Sequence, residues 1–222
     1  MKYNKNGKES KYSKLHTSQS RKIIEVAYKL FISRSFNDVS MKDIARKAHI
    51  SRQTLYKYYP SLDELIFGIQ IRILNDISES LPKGNPDHKT GRELLLEMQY
   101  AIFHYGLEHP DDLFFISLFD NYNRNRPSDD PLNQRYQESL RRGYINQDWI
   151  KLGQEDGSIR SDINANLLSY FLHNQTAGLA LRLANLGENA LPADQSVTAE
   201  EIEKLFLQVV DRDLQPKESP SH

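Results

Sequence analysis

At 222 residues, with 38% hydrophobic and 27% charged side chains, the chain can bury a core in one domain or two small ones, and its composition is not that of a disordered protein. It holds no cysteine, which excludes disulfide staples, cysteine-based zinc sites and thiol catalysis and fits a reducing compartment. The formal net charge of −1 hides an asymmetry: residues 1–60 carry 10 Lys and 4 Arg against 4 acids, 14 − 4 = +10, so the rest carries −1 − 10 = −11.

A basic front of this kind suits a polyanionic partner, and the segment from Lys22 to Lys57 stays basic even without the lysines before residue 15. No apolar run approaches the roughly 20 residues that span a bilayer. No apolar stretch follows the basic N-terminus as a secretory signal would require. The expected location is the cytoplasm, with no membrane partner.

In chain order, residues 1–16 read as a basic disordered arm. Ile23, Ala27, Leu30 and Phe31 then mark a helix from about Thr17 to Arg34. Ser40 and Asp43 form a capping box for the short helix MKDIARKA. His49 and Ile50 make a turn, Ser51 caps RQTLYKYY, and Pro60 ends that helix. Ser61 and Glu64 open another that runs to about Leu81. PKGNPDHK is a linker by composition. Thr90 and Glu93 box the next helix, which runs to about Glu108, and Pro110 suits the first turn of the one that follows.

After the loop NRPSDDP comes one long helix, LNQRYQESLRRGYINQDWIKLGQ. Asp162 or its neighbour starts INANLLSYFLHNQTAGLALRLANLG. Thr198 and Glu201 start EEIEKLFLQVVDRDL, and 216–222 is a polar tail. The reading is all-α, with about nine helices in two parts, 17–77 and 78–215.

Two short helices joined by a tight turn, after a longer helix, describe a helix-turn-helix. At 100° per residue, Leu55 and Tyr59 of the second short helix pack inward with Ile44, Ala45 and Ile50. Gln53 and Lys57 then point away from that core. Thr54 and Tyr56 flank them, Tyr58 leans toward the groove edge or packs half-buried, and Arg52 occupies the first turn beside Ser51. Such a surface suits a major groove, with Lys42, Arg52, Gln53 and Lys57 near bases and Ser40, Thr54, Tyr56 and Tyr58 on phosphates.

The run VSMKDIARKAHISRQTLYKYYPSLDELI closely resembles the DNA-binding domain of the TetR family of transcriptional regulators. Ser40, Ile44, Ala45, Ala48, Ser51, Thr54, Leu55, Tyr56, Tyr58, Ser61 and Leu65 carry the match, which covers about residues 17–77. Three positions depart from the pattern. His49 replaces the usual turn glycine, Gln53 stands where a small residue is common, and Leu62 replaces a lysine at the start of the fourth helix. The resemblance implies double-stranded DNA with an inverted-repeat operator as partner, a homodimer built on the last two helices, and a second, helical domain that takes a small-molecule effector.

The back half is compatible with this. Ile202, Leu205, Phe206, Val209 and Val210 form an amphipathic stripe that fits either a dimer interface or intramolecular packing. The small residues of AGLALRLANL permit close helix approach. Candidate effector contacts are Tyr100, Phe103, His104, Phe119, Tyr122, Trp149, Phe171, His173 and Asn174, aromatic or polar residues on otherwise apolar faces. His104 and His109 are wrongly spaced to share a metal, so no metal site and no cofactor are expected.

No G-x-S-x-G elbow, Gly-rich phosphate loop or H-E-x-x-H motif is present, which argues against an enzyme. The expectation is a repressor released by a small molecule. The competing one is a DNA-bound adaptor or activator controlled by a protein partner.

Overall fold

The computed structural model describes residues 11–84, 88–143, 146–186 and 197–216. Among them the fold is all-α. The helices are α1 (Lys11–Ser33), α2 (Met41–Lys47), α3 (Arg52–Tyr58), α4 (Leu62–Ser80), α5 (Gly91–Glu108), α6 (Pro110–Asn123), α7 (Pro131–Gly143), α8 (Asn146–Glu155), α9 (Ala165–Leu186) and α10 (Ala199–Leu214), with a 3-10 turn at Phe36–Asp38. No described helix is long and apolar enough to cross a membrane. The chain divides into two compact units between Ile71 and Arg72, inside α4.

Local signals account for most of the helix starts. Both halves of the capping box form at Ser40–Asp43, Thr90–Glu93 and Thr198–Glu201. In each, a hydroxyl takes an orphan amide and a carboxylate takes the cap's own N–H. Ser61 Oγ accepts from the Glu64 amide at 3.1 Å. Three boundaries differ from the sequence expectation. α1 begins at Lys11 rather than Thr17, since no glycine or proline interrupts the residues between. The single long helix expected after Pro131 is two, with α7 ending at Gly143, a residue that favours helix ends. α9 is capped by Asn164, whose Oδ1 accepts from the amides of Asn166 and Leu167 at 3.0 and 3.3 Å. Asp162 is instead held by a two-pronged ion pair with Arg160, both contacts at 2.6 Å.

In the first unit, Ile23, Ala27 and Phe31 of α1 are buried, together with Phe36, Val39, Ile44, Ala45, Ala48 and Leu55. Phe31 and Phe36 meet edge to face at 5.0 Å. The second unit is organised around α5, which packs on α8, α9 and α10, while α6 packs on α9. Leu95, Met98, Ile150, Leu168, Leu172, Val210 and Leu214 make one cluster of its core. Phe103, Leu113, Ala180 and Leu183 make another.

The start of α5 lies so close to α8 that a Cβ on Gly91 would stand 2.1 Å from the Gly153 nitrogen. The first amides of α5 are satisfied across this contact. Gly91 N–H donates to Asp156 Oδ2 at 2.8 Å and Arg92 N–H to Ser158 Oγ at 3.2 Å.

Gln99, Asp112 and Thr176 are among the polar side chains buried in this unit. The Thr176 hydroxyl lies against Gln99 Oε1 and the Leu172 carbonyl. The Asp112 carboxylate accepts from Tyr105 Oη at 2.6 Å and from Arg72 Nη2 at 3.4 Å. Burial, and then this carboxylate, hold the Tyr105 phenol well above its ordinary range.

Candidate nucleic-acid interface

α2 and α3 are held at a fixed angle by backbone and cap chemistry together. The Ile50 amide donates to the Ala45 carbonyl at 3.0 Å, closing the turn. His49 adopts φ 56° there, the left-handed conformation that the family's glycine takes at no steric cost. Ser51 then caps α3: its Oγ accepts from the Thr54 amide at 3.0 Å and shares a hydrogen bond with Thr54 Oγ1 at 2.8 Å.

Leu55 is fully buried beneath α3. Tyr59, the C-cap of that helix, is half-buried, with its Oη 2.7 Å from Ser20 Oγ, and burial raises its phenol. These inward contacts set the rotation of α3 about its axis.

What remains outward is a polar row. Arg52, Gln53, Tyr56 and Lys57 are exposed, as is Lys42 on α2, while Thr54 and Tyr58 are half-buried. Among the described residues Lys42, Arg52, Gln53 and Lys57 are tied into no ion pair, so their donors face solvent unspent. The hydroxyls of Ser40, Ser51 and Thr54 sit in the caps. Asp43, the one acid of α2, is occupied by Ser40 and by Arg46 Nη2 at 2.8 Å. The hydrogen bonds from Ser40 hold its carboxyl below the usual range. The result is a short helix presenting an amide, a guanidinium, an ammonium and a phenol, which is the donor set that base edges and phosphates take.

Residues 23–69 match the model for bacterial regulatory proteins of the tetR family. The first unit is a TetR-family DNA-binding domain. Over 60 residues, 27% of this chain and 30% of the relative, the sequence is 40% identical to MftR of Mycobacterium tuberculosis, named as a mycofactocin biosynthesis transcriptional regulator. Over 110 residues, 46% of this chain and 57% of the relative, it is 34% identical to DhaS of Lactococcus lactis, named as the dhaKLM operon transcriptional activator. The matched stretches thus span less than two thirds of either curated relative. A TetR-family regulatory protein from Rhodococcus RHA1 shares the fold across 90% of this chain and 98% of its own, with TM-score 0.69 and 11% identity. The TetR fold therefore extends over the second unit, where sequence likeness fades.

In that unit the nine candidate effector contacts do not converge. Phe103 is fully buried and stacks on Phe206 at 6.3 Å; Phe119 is fully buried against Tyr136 at 4.9 Å. Tyr122 is half-buried beneath the Arg126 guanidinium, and Trp149 packs at the edge of the α5–α8 cluster. His173 is half-buried, and burial lowers its proton affinity. Tyr100, Phe171 and Asn174 are exposed. Asn174 Nδ2 is spent on the Tyr170 carbonyl at 2.7 Å.

Tyr100 does meet His104, stacked at 5.4 Å, and His104 Nε2 has an acidic neighbour in Glu108 Oε1 at 3.3 Å. The i, i+4 spacing of that pair was visible in the sequence. The buried polar pair Gln99–Thr176 and the Asp112 carboxylate carried no comparable signal. Among the described residues no group of three or more His, Asp or Glu is placed to hold a metal.

The apolar stripe of α10 faces two ways. Val210 is buried, while Ile202 and Phe206 pack half-buried against the core clusters. Leu205 and Val209 face outward. On α9, Leu167, Tyr170 and Phe171 are exposed as well. Leu167, Phe171 and Val209 line a groove of about 540 Å³ between the two helices.

Proposed function

We propose that the protein is a homodimeric, sequence-specific transcriptional regulator acting on DNA in the cytoplasm, a repressor whose hold on an inverted-repeat operator is released by a small molecule. The unspent donor row on α3, fixed by the Ser51 cap and the buried Leu55, carries this reading. Lys42, Arg52, Gln53 and Lys57 read bases, while Ser40, Ser51, Thr54, Tyr56 and Tyr58 position the helix on phosphates. The outward apolar face of α9 and α10 supports dimerisation, because a face of this kind is costly to leave in water. A two-fold pair sets its recognition helices roughly 34 Å apart, one turn of the duplex.

Effector control belongs to the second unit, where exposed Tyr100 lines a groove of about 470 Å³ with Ser80, Pro82, Leu96, Glu97 and Ala101. Coupling of about 1–3 kcal/mol gives a 5–150-fold change in operator affinity, and DNA then weakens effector binding by the same factor.

The test is fluorescence anisotropy on the operator and on a scrambled duplex. Gln53→Ala should cost about 1–3 kcal/mol on the operator and relax preference at one base pair, whereas Tyr56→Phe should weaken both duplexes alike. Wild-type behaviour of Gln53→Ala on both duplexes would remove α3 from the groove.

A further inference from the structure

On the first unit a second cationic feature lies off the α3 row. A groove of about 340 Å³ is lined by Leu30, Arg34, Asp43, Arg46, Lys47 and His49. Asp43 and Lys47 lie about 100–140° around α2 from Lys42 and Arg46 about 40° from it, so the groove adjoins Lys42 at its Arg46 side and opens away from it on the other. Its one acid is already spent: Asp43 Oδ2 takes the Ser40 amide at 3.2 Å and the Ser40 hydroxyl, and Oδ1 takes Arg46. Arg34, Lys47 and His49 are tied into no ion pair among the described residues. A concave surface is thus left with excess positive charge, Asp43 being its one counter-ion, bound to Arg46 and also within electrostatic reach of Arg34.

His49, in the turn between α2 and α3, lies on the same rim. Among the described residues it is the one non-glycine at positive φ, a strain of about 1 kcal/mol that glycine would relieve. The strained backbone carries the imidazole onto the rim of the groove.

We infer that this groove binds a compact oligophosphate anion, separately from the operator. Arg34 approaches from the end of α1, Arg46 and Lys47 from α2, and His49 from the turn, so donors surround a space of small-molecule size. Guanidinium and ammonium groups around a concavity match phosphate oxygens, with Arg46 able to share its fork between Asp43 and the ligand. Leu30 offers an apolar floor for a ring or chain attached to the phosphates.

The experiment is titration calorimetry of the full-length protein with tripolyphosphate, at fixed ionic strength and against sulfate as control. The expected result is saturable binding that sulfate does not reproduce, weakened about tenfold by Lys47→Gln and by Arg34→Gln. His49→Gly should also weaken it although the unliganded protein melts higher, which separates loss of binding from loss of fold. The α3 variants Arg52→Gln and Lys57→Gln should leave it unchanged. Four results would each overturn the assignment: no saturable heat at millimolar tripolyphosphate, wild-type affinity in the groove variants, loss confined to the α3 variants, or displacement by a non-cognate duplex, the last two placing the anion on the DNA-reading surface.

Discussion

Leu205 and Phe206 are neighbours on α10 with opposite duties, and glutamate at each should fail differently. Fully burying a leucine is worth about 1.5–3 kcal/mol. Leu205 keeps 61% of its surface in the protomer, so about 1–2 kcal/mol remains to be gained when a partner covers it. A two-fold interface counts the residue twice, giving roughly 2–4 kcal/mol, or a dissociation constant raised about 30- to 1000-fold. The cost of desolvating the new carboxylate adds to that.

Leu205→Glu should therefore give a folded monomer with an unchanged circular dichroism spectrum and lost operator specificity. Phe206→Glu should instead lower the melting temperature, because its ring stacks on the buried Phe103. Light scattering and thermal melts of both variants, followed by operator titration, make the comparison. A dimeric Leu205→Glu protein at micromolar concentration with wild-type operator affinity would move the interface off the α9–α10 face.

Gly91→Ala should destabilise the second unit by about 3 kcal/mol or more, since the added Cβ meets backbone atoms of Gly153 and the Trp149 carbonyl, none of which can rotate aside. A loss below about 1 kcal/mol in urea unfolding would mean that α5 and α8 separate easily. Glu203 is buried with Oε1 unpartnered, and burial, opposed by His104, raises its carboxyl above the ordinary value. A raised carboxyl costs stability in full above its folded pKa, and that cost fades as pH falls from there to the ordinary glutamate value. Glu203→Gln should therefore gain on wild type near pH 7 and lose that advantage as pH falls to the ordinary glutamate range; a pH-independent difference between the two unfolding curves would remove Glu203 as the cause.

The sequence was most legible where structure is decided within one turn. Ser40–Asp43, Thr90–Glu93 and Thr198–Glu201 each close a ring of local hydrogen bonds, so spacing alone locates them. The α3 surface was legible for a related reason: burying Leu55 orients every other side chain on so short a helix. Periodicity could show that α10 is amphipathic, but five apolar positions span too wide an arc to face one way. Only the packing of Phe206 on Phe103 tells the inward residues from the outward ones. Asp162 and Asn164 are equally good caps in isolation, and Arg160 decides between them by capturing the aspartate. The effector candidates scattered because an aromatic on an apolar face has the same sequence signature whether it lines a cavity or fills a core.

The Asp112 carboxylate belongs to α6, its phenol donor to α5 and its guanidinium partner to α4. Pulling any one of these helices away strands a buried charge without water to receive it, so the three have little incentive to open singly. Amide exchange at the start of α6, the end of α5 and the stretch of α4 after Arg72 should consequently slow and quicken together, as a single opening event with one free energy. A junction that opens as a unit transmits a small displacement whole, instead of absorbing it in one loosened turn.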